Sequence, residues 1–465
     1  MGAISPCETV PRSPEAVSYR RTTVARPAVL RRHPADPAIW RLALPALGAL
    51  VAEPLFLLAD TAIVGHLGTP QLAALGLAGV VLTTFVNVSI FLAYGTTAAV
   101  ARRLGAGDRR AALAQGVDGC WLAVVVGVVT LAVGWPLTPW VVSLFGPQPD
   151  VAGHAETYLR ISLLGIPSML LVLAATGVLR GLQDTRTPLA VAAAGAAGNV
   201  VLSLVLVYGL SLGVAGSALG TVIAQTAMAA AFVRVVGRGA RRHGAPLRPD
   251  WPGVRRSFGA GVPLVVRTVS MRAALVVATV VATGLGTVEL AAHQIAYITW
   301  SLLALVLDAI AIAAQALVGK DLGAGDVAVV RATTRRMVEW GLLVGTGLGL
   351  LVAVVAPVYA HLFTRDPEVR GLVVVALLVV AAMQPLAGWV FVLDGVLIGA
   401  GDGRYLAVAS ALSVLAFLPA AWAVSAYDLG LVALWTAIGV WMLARLVTVA
   451  LRERGESWVV TGALR

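Results

Sequence analysis

Residues 67–78 read LGTPQLAALGLA, and residues 285–296 read LGTVELAAHQIA. Position 67 thus corresponds to position 285, and the same offset (285 − 67 = 218) recurs along the chain. LGAGD at 104–108 returns at 322–326. LFGPQPDV at 144–151 matches LFTRDPEV at 362–369. VLRGLQD at 178–184 maps to VLIGAGD at 396–402, Pro45 to Pro263, and Pro167 to Pro385. Chance likeness between apolar segments does not hold one offset over six landmarks without a gap. The chain is a tandem duplication, and this offset is its period.

Each repeat is a membrane-scale object. Of 465 residues, 59% are hydrophobic and 12% charged, against roughly 25% charged in a soluble domain. Mean hydropathy is +0.89. Crossing a bilayer takes about 20 apolar residues. Twelve such spans are expected, over 38–65, 71–100, 112–134, 155–180, 188–209, 213–236, 257–283, 289–318, 334–356, 369–398, 405–425 and 430–451. The expected fold class is an all-α membrane protein of twelve transmembrane helices in two parallel six-helix repeats. Residues 1–36 are expected as a disordered basic tail, 37–236 as the N-terminal bundle and 237–256 as a basic linker. The C-terminal bundle is expected over 257–452 and a second tail over 453–465.

The net charge of +11 sits mainly in the loops between apolar runs and is not a nucleic-acid footprint. Arg102, Arg103, Arg109, Arg110, Arg180, Arg186, the Arg234–Arg256 cluster, Lys320, Arg331, Arg335, Arg336, Arg404, Arg452 and Arg454 all fall on alternate connections. The other connections carry little beyond Arg365 and Arg370. Basic loops stay cytoplasmic during insertion, so both termini are expected inside an inner or plasma membrane, in contact with the lipid bilayer. An even number of helices per repeat makes the repeats parallel. Parallel-repeat transporters bind substrate at the repeat interface and rock the halves. Cys7 and Cys120 offer no disulfide framework or metal cluster.

Ionisable residues at bilayer depth are rare and default to function. In the first span these are Glu53 and Asp60. At 1.5 Å per residue, Asp60 lies ~8–9 Å below the outer rim, Asn199 ~15 Å and Thr221 ~12 Å. A carboxylate beside amide and hydroxyl oxygens can hold a proton or offer oxygen ligands to a hard cation. Glu53, two helical turns before Asp60, is a candidate relay, while Pro54 beside it is a kink site. Asp60 maps to Ala278 and has no twin in the second repeat. That repeat instead has Arg267, Arg272, Asp308 and Asp394, where the first has Ala49, Pro54, Ile90 and Thr176. Arg267 and Asp308 share a depth of about 15 Å from the cytoplasmic rim, which predicts that they pair; substrate or gating contact is the other reading. His293 and Gln294 near the outer end of the eighth span read as hydrogen-bonded polar residues.

The two GAGD sequences read as tight turns, because neither has the strand–loop–helix setting of a nucleotide site. With no GxxxxGKS/T present, ATP is not the expected energy source. Polar residues are too scattered for a nucleophile–base–acid set, so no enzyme activity, metal or cofactor is expected.

Taken together, LALPALGALVAEPLFLLADTAIVGHLGT at 42–69, RLGAGD at 103–108, GVLRGLQDTRTP at 177–188, LGVAGSALGTVIAQ at 212–225, LAAHQIA at 290–296 and LDGVLIGAGD at 393–402 resemble the MATE family of multidrug and toxic compound extrusion transporters, in its DinF-like branch. The resemblance covers about residues 38–450. It implies export of organic, often cationic, small molecules in exchange for H⁺ or Na⁺, and it places Asp60, Asn199 and Thr221 on the family's coupling positions; a monomer is the default expectation, since the sequence does not encode oligomeric state legibly. The family often has a second aspartate one turn after the asparagine; here that residue is Ser203, and losing a carboxylate weakens a Na⁺ site more than a proton site. A lipid-linked-precursor flippase of the same superfamily would share the fold. A major-facilitator protein would carry a different loop between its second and third helices.

Overall fold

A computed structural model describes residues 33–463. The expected tail lies mostly outside the described residues, and α1 begins at Asp36. The N-terminal bundle comprises α1 (Asp36–Gly65), α2 (Thr69–Ser89), α3 (Phe91–Gly105), α4 (Arg109–Ser143), α5 (Pro149–Gly181), α6 (Arg186–Leu204) and α7 (Gly213–Arg242). The C-terminal bundle comprises α8 (Trp251–Leu285), α9 (Thr287–Ala324), α10 (Val327–Tyr359), α11 (Pro367–Gly399), α12 (Gly403–Ala426) and α13 (Gly430–Arg454). Helices α2 and α3 form one span, so twelve segments are long and apolar enough to cross a membrane.

Two departures from regular helix fall in the N-terminal bundle. The second span breaks at Ile90, whereas its counterpart α9 runs unbroken through Asp308. The end of the fifth span winds as a π-helix over Val205–Gly209. The linker is shorter than 237–256, because α7 and α8 enter it from both sides and leave 243–250 as the connection. It is tied to α4: the Trp121 indole donates to the Leu247 carbonyl at 3.0 Å, and the Asp250 amide donates to Asp118 at 3.0 Å.

The repeat in the sequence is also a repeat in the packing. Gly177 of α5 lies against the Ala93 carbonyl of α3, and Gly395 of α11 against that of Ala311 in α9. Gly181 meets Thr97 as Gly399 meets Gln315, and Gly127 abuts Pro167 as Gly345 abuts Pro385. In each bundle a Cβ at these glycines would enter a neighbouring helix, which is why small residues recur at membrane helix crossings.

The bundles meet at the end that carries the arginine-rich connections, called here the basic end. Gly105 of α3 lies against the Lys320 carbonyl of α9, and Gly323 of α9 against the Arg102 carbonyl of α3. Each contact is the other shifted by one repeat, so the closure is a pseudo-twofold crossing. The repeated LGAGD therefore does three jobs. Its first glycine permits the crossing. Its second turns the chain at φ +82° in Gly107 and +83° in Gly325. Its aspartate caps the next helix, Asp108 accepting from the Ala111 amide at 2.8 Å and Asp326 from the Val329 amide at 3.0 Å.

Two further contacts close this end. Asp36 at the start of α1 accepts from the Arg336 guanidinium of α10 at 2.7 and 2.8 Å and from the Trp340 indole at 2.8 Å. After α13 the chain folds back: the Gly462 amide donates to the Leu322 carbonyl at 3.0 Å, and Arg102 donates to the carbonyls of Val460, Gly462 and Ala400. The largest core joins Ile39, Leu42, Phe91 and Leu92 to residues of α9, α11 and α13. A separate core near the opposite end, around Val64, Ala74, Val142, Tyr158 and Ala218, is built from the N-terminal bundle alone.

Candidate functional site

Asp60 lies five residues before the end of α1, ~7.5 Å from its terminus, and is 3% exposed. The Ser217 hydroxyl of α7 donates to Asp60 Oδ1 at 2.5 Å, and the Tyr158 hydroxyl of α5 donates to Oδ2 at 3.2 Å. No Lys, Arg or His pairs with it among the described residues. The polar chain continues away from the carboxylate. Thr221 Oγ1 donates to the Ser217 carbonyl at 3.2 Å, Asn199 Nδ2 donates to Thr221 Oγ1 at 3.1 Å, and Ser203 Oγ donates to Asn199 Oδ1 at 3.4 Å.

Asp60, Asn199 and Thr221 thus belong to one network, in which Asn199 and Thr221 reach the carboxylate through Ser217 rather than directly. Ser203, in place of a second aspartate, completes the far end of the chain. Sequence reasoning passes over Tyr158 and Ser217. Ser217 lies one turn from Thr221 on the same face of α7, which is a signal; Tyr158 gives none. Helix geometry holds the parts in place. Gly220 lets α7 approach Ser203 on α6, and Gly216 lies against the backbone of Leu206 and Val207 at the π-turn. From that turn the Tyr208 hydroxyl donates to the Ile63 carbonyl at 2.6 Å, fastening α1 just beyond Asp60.

A buried carboxylate without a counter-ion is neutralised by a proton or by a cation. Of the nearby oxygens, the Ser217 and Tyr158 hydroxyls are already turned towards Asp60 as donors. No group of three His, Cys, Asp or Glu side chains able to hold a metal ion occurs among the described residues. Glu53 is exposed on α1 and has no polar partner among the described residues.

The C-terminal bundle is organised differently from the expected Arg267–Asp308 pair. Asp394 Oδ2 accepts from Arg267 at 2.7 Å and from Arg445 of α13 at 2.5 Å. Arg445 also lies over the rings of Trp441 and Phe391, 5.3 and 5.8 Å from their centroids. Shared depth fixes height along the membrane normal but not the direction a helix face points; Asp394 lies on the face that meets Arg267. Asp308 is half-buried and makes no hydrogen bond or ion pair among the described residues. Arg272 is exposed and unpaired among them. His293 is buried, 3.4 Å from the Thr279 hydroxyl and tilted against Trp435. Gln294 is exposed.

Comparison with known proteins agrees with this architecture. The MatE family model matches the chain twice, over residues 45–205 and 263–423, the second match displaced by one repeat from the first. The chain is 31% identical to "Protein DETOXIFICATION 44, chloroplastic" of Arabidopsis thaliana, with 90% of this chain and 84% of that protein covered. It is 28% identical to "DNA damage-inducible protein F" of Escherichia coli K12, covering 89% and 91%. A solved multidrug resistance MATE family transporter of the MOP superfamily, in an outward-facing conformation, superposes with a TM-score of 0.83 at 23% identity, over 92% of this chain and 96% of the other. The double match together with the identity over nearly the whole length establishes that this chain belongs to the MATE family of multidrug and toxic-compound extrusion transporters.

Proposed function

We propose that this protein is a secondary active antiporter that exports organic compounds in exchange for protons, with Asp60 as the coupling carboxylate. The observation that carries the reading is Asp60 itself: a buried acid, bonded by two hydroxyls and paired with no cationic side chain among the described residues. Antiport requires that ion and substrate bias the same two states in opposite directions, which only differential affinity can do. A lone carboxylate that is charged in one state and neutral in the other supplies such a difference. Proton rather than Na⁺ coupling is favoured by the donor set, since one carboxylate and hydroxyls engaged as donors leave few free oxygens for a hard cation.

The two states are reached by rocking the bundles, and the Gly105–Gly323 crossing is made when the basic end is shut. With the arginine-rich connections on the cytoplasmic side, the closed basic end corresponds to an outward-facing state. Both termini then lie in the cytoplasm, and Asp60 lies near the outer side of the membrane. Both the alternation of loop charge and the likeness to an outward-facing transporter support this orientation.

The test uses purified protein in liposomes, with pH and Na⁺ gradients imposed separately and a fluorescent efflux substrate. A pH gradient at equal Na⁺ is expected to drive concentrative transport, and a Na⁺ gradient at clamped pH to drive none. Concentrative transport under the Na⁺ gradient alone would overturn proton coupling.

A further inference from the structure

The chain after α13 breaks the repeat. In the first repeat α7 runs on to Arg242 and into the connection that joins the bundles. In the second, α13 stops at Arg454, the match of Val236, and 455–463 leave the helix as a strap. The strap is fastened to the C-terminal bundle. Arg331 of α10 donates to the Gly455 carbonyl at 3.3 Å. Arg452 of α13 holds the Ser457 hydroxyl at 2.5 Å and Asp402, just before α12, at 2.7 Å. The Gly462 amide donates to the Leu322 carbonyl of α9 at 3.0 Å. Between these points Trp458 is fully buried in the largest core, and its indole donates to the Glu453 carbonyl at 2.8 Å.

The N-terminal bundle reaches the same strap through Arg102 of α3. Its guanidinium donates to the Gly462 carbonyl at 3.2 Å and to the Val460 carbonyl, and it takes the Ala400 carbonyl at the end of α11 at 2.8 Å. Arg102 is 3% exposed, whereas Lys320, its counterpart one repeat on, is exposed. Connectivity accounts for the asymmetry. On one side of the pseudo-twofold axis the polypeptide itself ties α7 to α8. On the other, the chain after α13 returns to α9 and α3 and ties them by hydrogen bonds. A covalent tie survives any movement of the bundles; a hydrogen-bonded one can be released. Arginine keeps its charge in a protein, so a buried Arg102 needs carbonyls or water around its fork of donors. The shut basic end supplies the carbonyls. An opened one admits water to the guanidinium and to the carbonyls alike, which makes release reversible.

We propose that residues 455–463 are a latch: a strap carried by the C-terminal bundle, which Arg102 of the N-terminal bundle grips when the basic end is shut and releases when it opens. The latch rests on the rocking of the bundles proposed above. It biases the protein towards the shut basic end and slows the step that opens it. Trp458 is the anchor that keeps the strap on its own bundle, so that the break falls between Arg102 and the carbonyls of Val460, Gly462 and Ala400.

The experiment is double electron–electron resonance on the full chain in lipid nanodiscs, in a background without Cys7 and Cys120, at low and at high pH. Spin labels at the exposed positions Arg109 and Ala328 report on the basic end, one from each bundle. Wild type is expected to show mainly the short distance. Arg102→Gln should raise the ratio of open to shut protein about tenfold or more, the size of a lost charge-assisted hydrogen bond. Trp458→Ala, which loosens the strap from its other side, should move the ratio in the same direction. Arg110→Gln, the same change of charge on an exposed residue at the same end, should leave it at the wild-type value. A label at the exposed Glu456 then shows which bundle carries the strap, and decides the matter if Trp458→Ala does not fold. In the open population of Arg102→Gln, the distance from 456 to 328 should be unchanged and that from 456 to 109 longer. A wild type that opens while Arg102→Gln and Trp458→Ala keep its ratio overturns the latch and leaves the rocking of the bundles standing. So does a strap that moves away from 328 and stays with 109. A basic end that opens in none of these proteins at either pH overturns the rocking, and the latch with it.

Discussion

Asp394 holds two guanidiniums on a single oxygen, inside a helical bundle. Removing one member of a buried ion pair leaves the rest uncompensated and costs roughly 3–5 kcal/mol. Arg267→Gln and Asp394→Asn should therefore each lower the thermal midpoint of the purified protein sharply. Their combination should cost clearly less than the sum, since contacting residues couple by about 0.5–3 kcal/mol. Arg267→Gln with Asp308→Asn should be additive. Coupling between Arg267 and Asp308 in place of Asp394 would contradict the observed pairing. The candidate residues are legible in the sequence because an ionisable side chain in an apolar run stands out on chemistry alone. Their partners are not. Ser217 and Tyr158 carry hydroxyls of a kind that membrane helices use everywhere, and Arg445 lies near enough to the end of α13 to pass for one more interfacial arginine. Depth can be counted from residue numbers; rotation about the helix axis, which decides who meets whom, cannot.

The helix crossings explain why particular glycines recur. A Cβ on Gly105 or Gly323 would strike the backbone carbonyl of the partner helix, and backbone does not yield as a side chain does. Gly347 on α10 faces open space. Gly323→Ala and Gly105→Ala should thus obstruct closure of the basic end without unfolding either bundle. Spin labels on α4 and α10 near that end should report a longer or broader distance distribution than in the wild type. Gly347→Ala should leave the distribution unchanged and, as an alanine in a helix, cost nothing in stability. An unaltered distribution in both crossing variants would mean that the crossing is not what holds the end shut. Reading GAGD as a tight turn accounts for Gly107, Gly325 and the capping aspartates. The role of the first glycine is hidden from the sequence, because its contact lies in the other repeat, far along the chain. The break at Ile90 is equally hidden, since neither proline nor glycine marks it.

For the molecule as a whole, the duplication, twelve spans and two bundles follow from one offset and from loop charge, because bilayer thickness leaves few alternatives for apolar runs of this length. Orientation has a direct check. In a background without Cys7 and Cys120, single cysteines at the exposed positions Gln148 and Arg365 should react with a membrane-impermeant maleimide added outside cells. Cysteines at Arg109 and Ala328 should react only after lysis. The reverse pattern would invert the orientation and put Asp60 near the inner side. The architecture also sets how the parts divide the work. The basic end is fastened by the glycine crossing, the Asp36–Arg336–Trp340 contact and the returning C-terminal chain, while Asp60 lies at the opposite end of the N-terminal bundle. Under the proposed antiport, a carboxylate that distant from the closure would act by changing the relative energy of two arrangements of the bundles, not by touching the gate. The measurement that bears most directly on this is proton-driven uphill efflux by Asp60→Asn in proteoliposomes, beside wild type and Ser217→Ala. Asp60→Asn should fold, bind substrate as wild type does and equilibrate it downhill. It should show no concentrative efflux and no pH dependence, while Ser217→Ala retains efflux with an altered pH profile. Concentrative efflux by Asp60→Asn with the pH profile of the wild type would contradict the assignment of Asp60 as the coupling group.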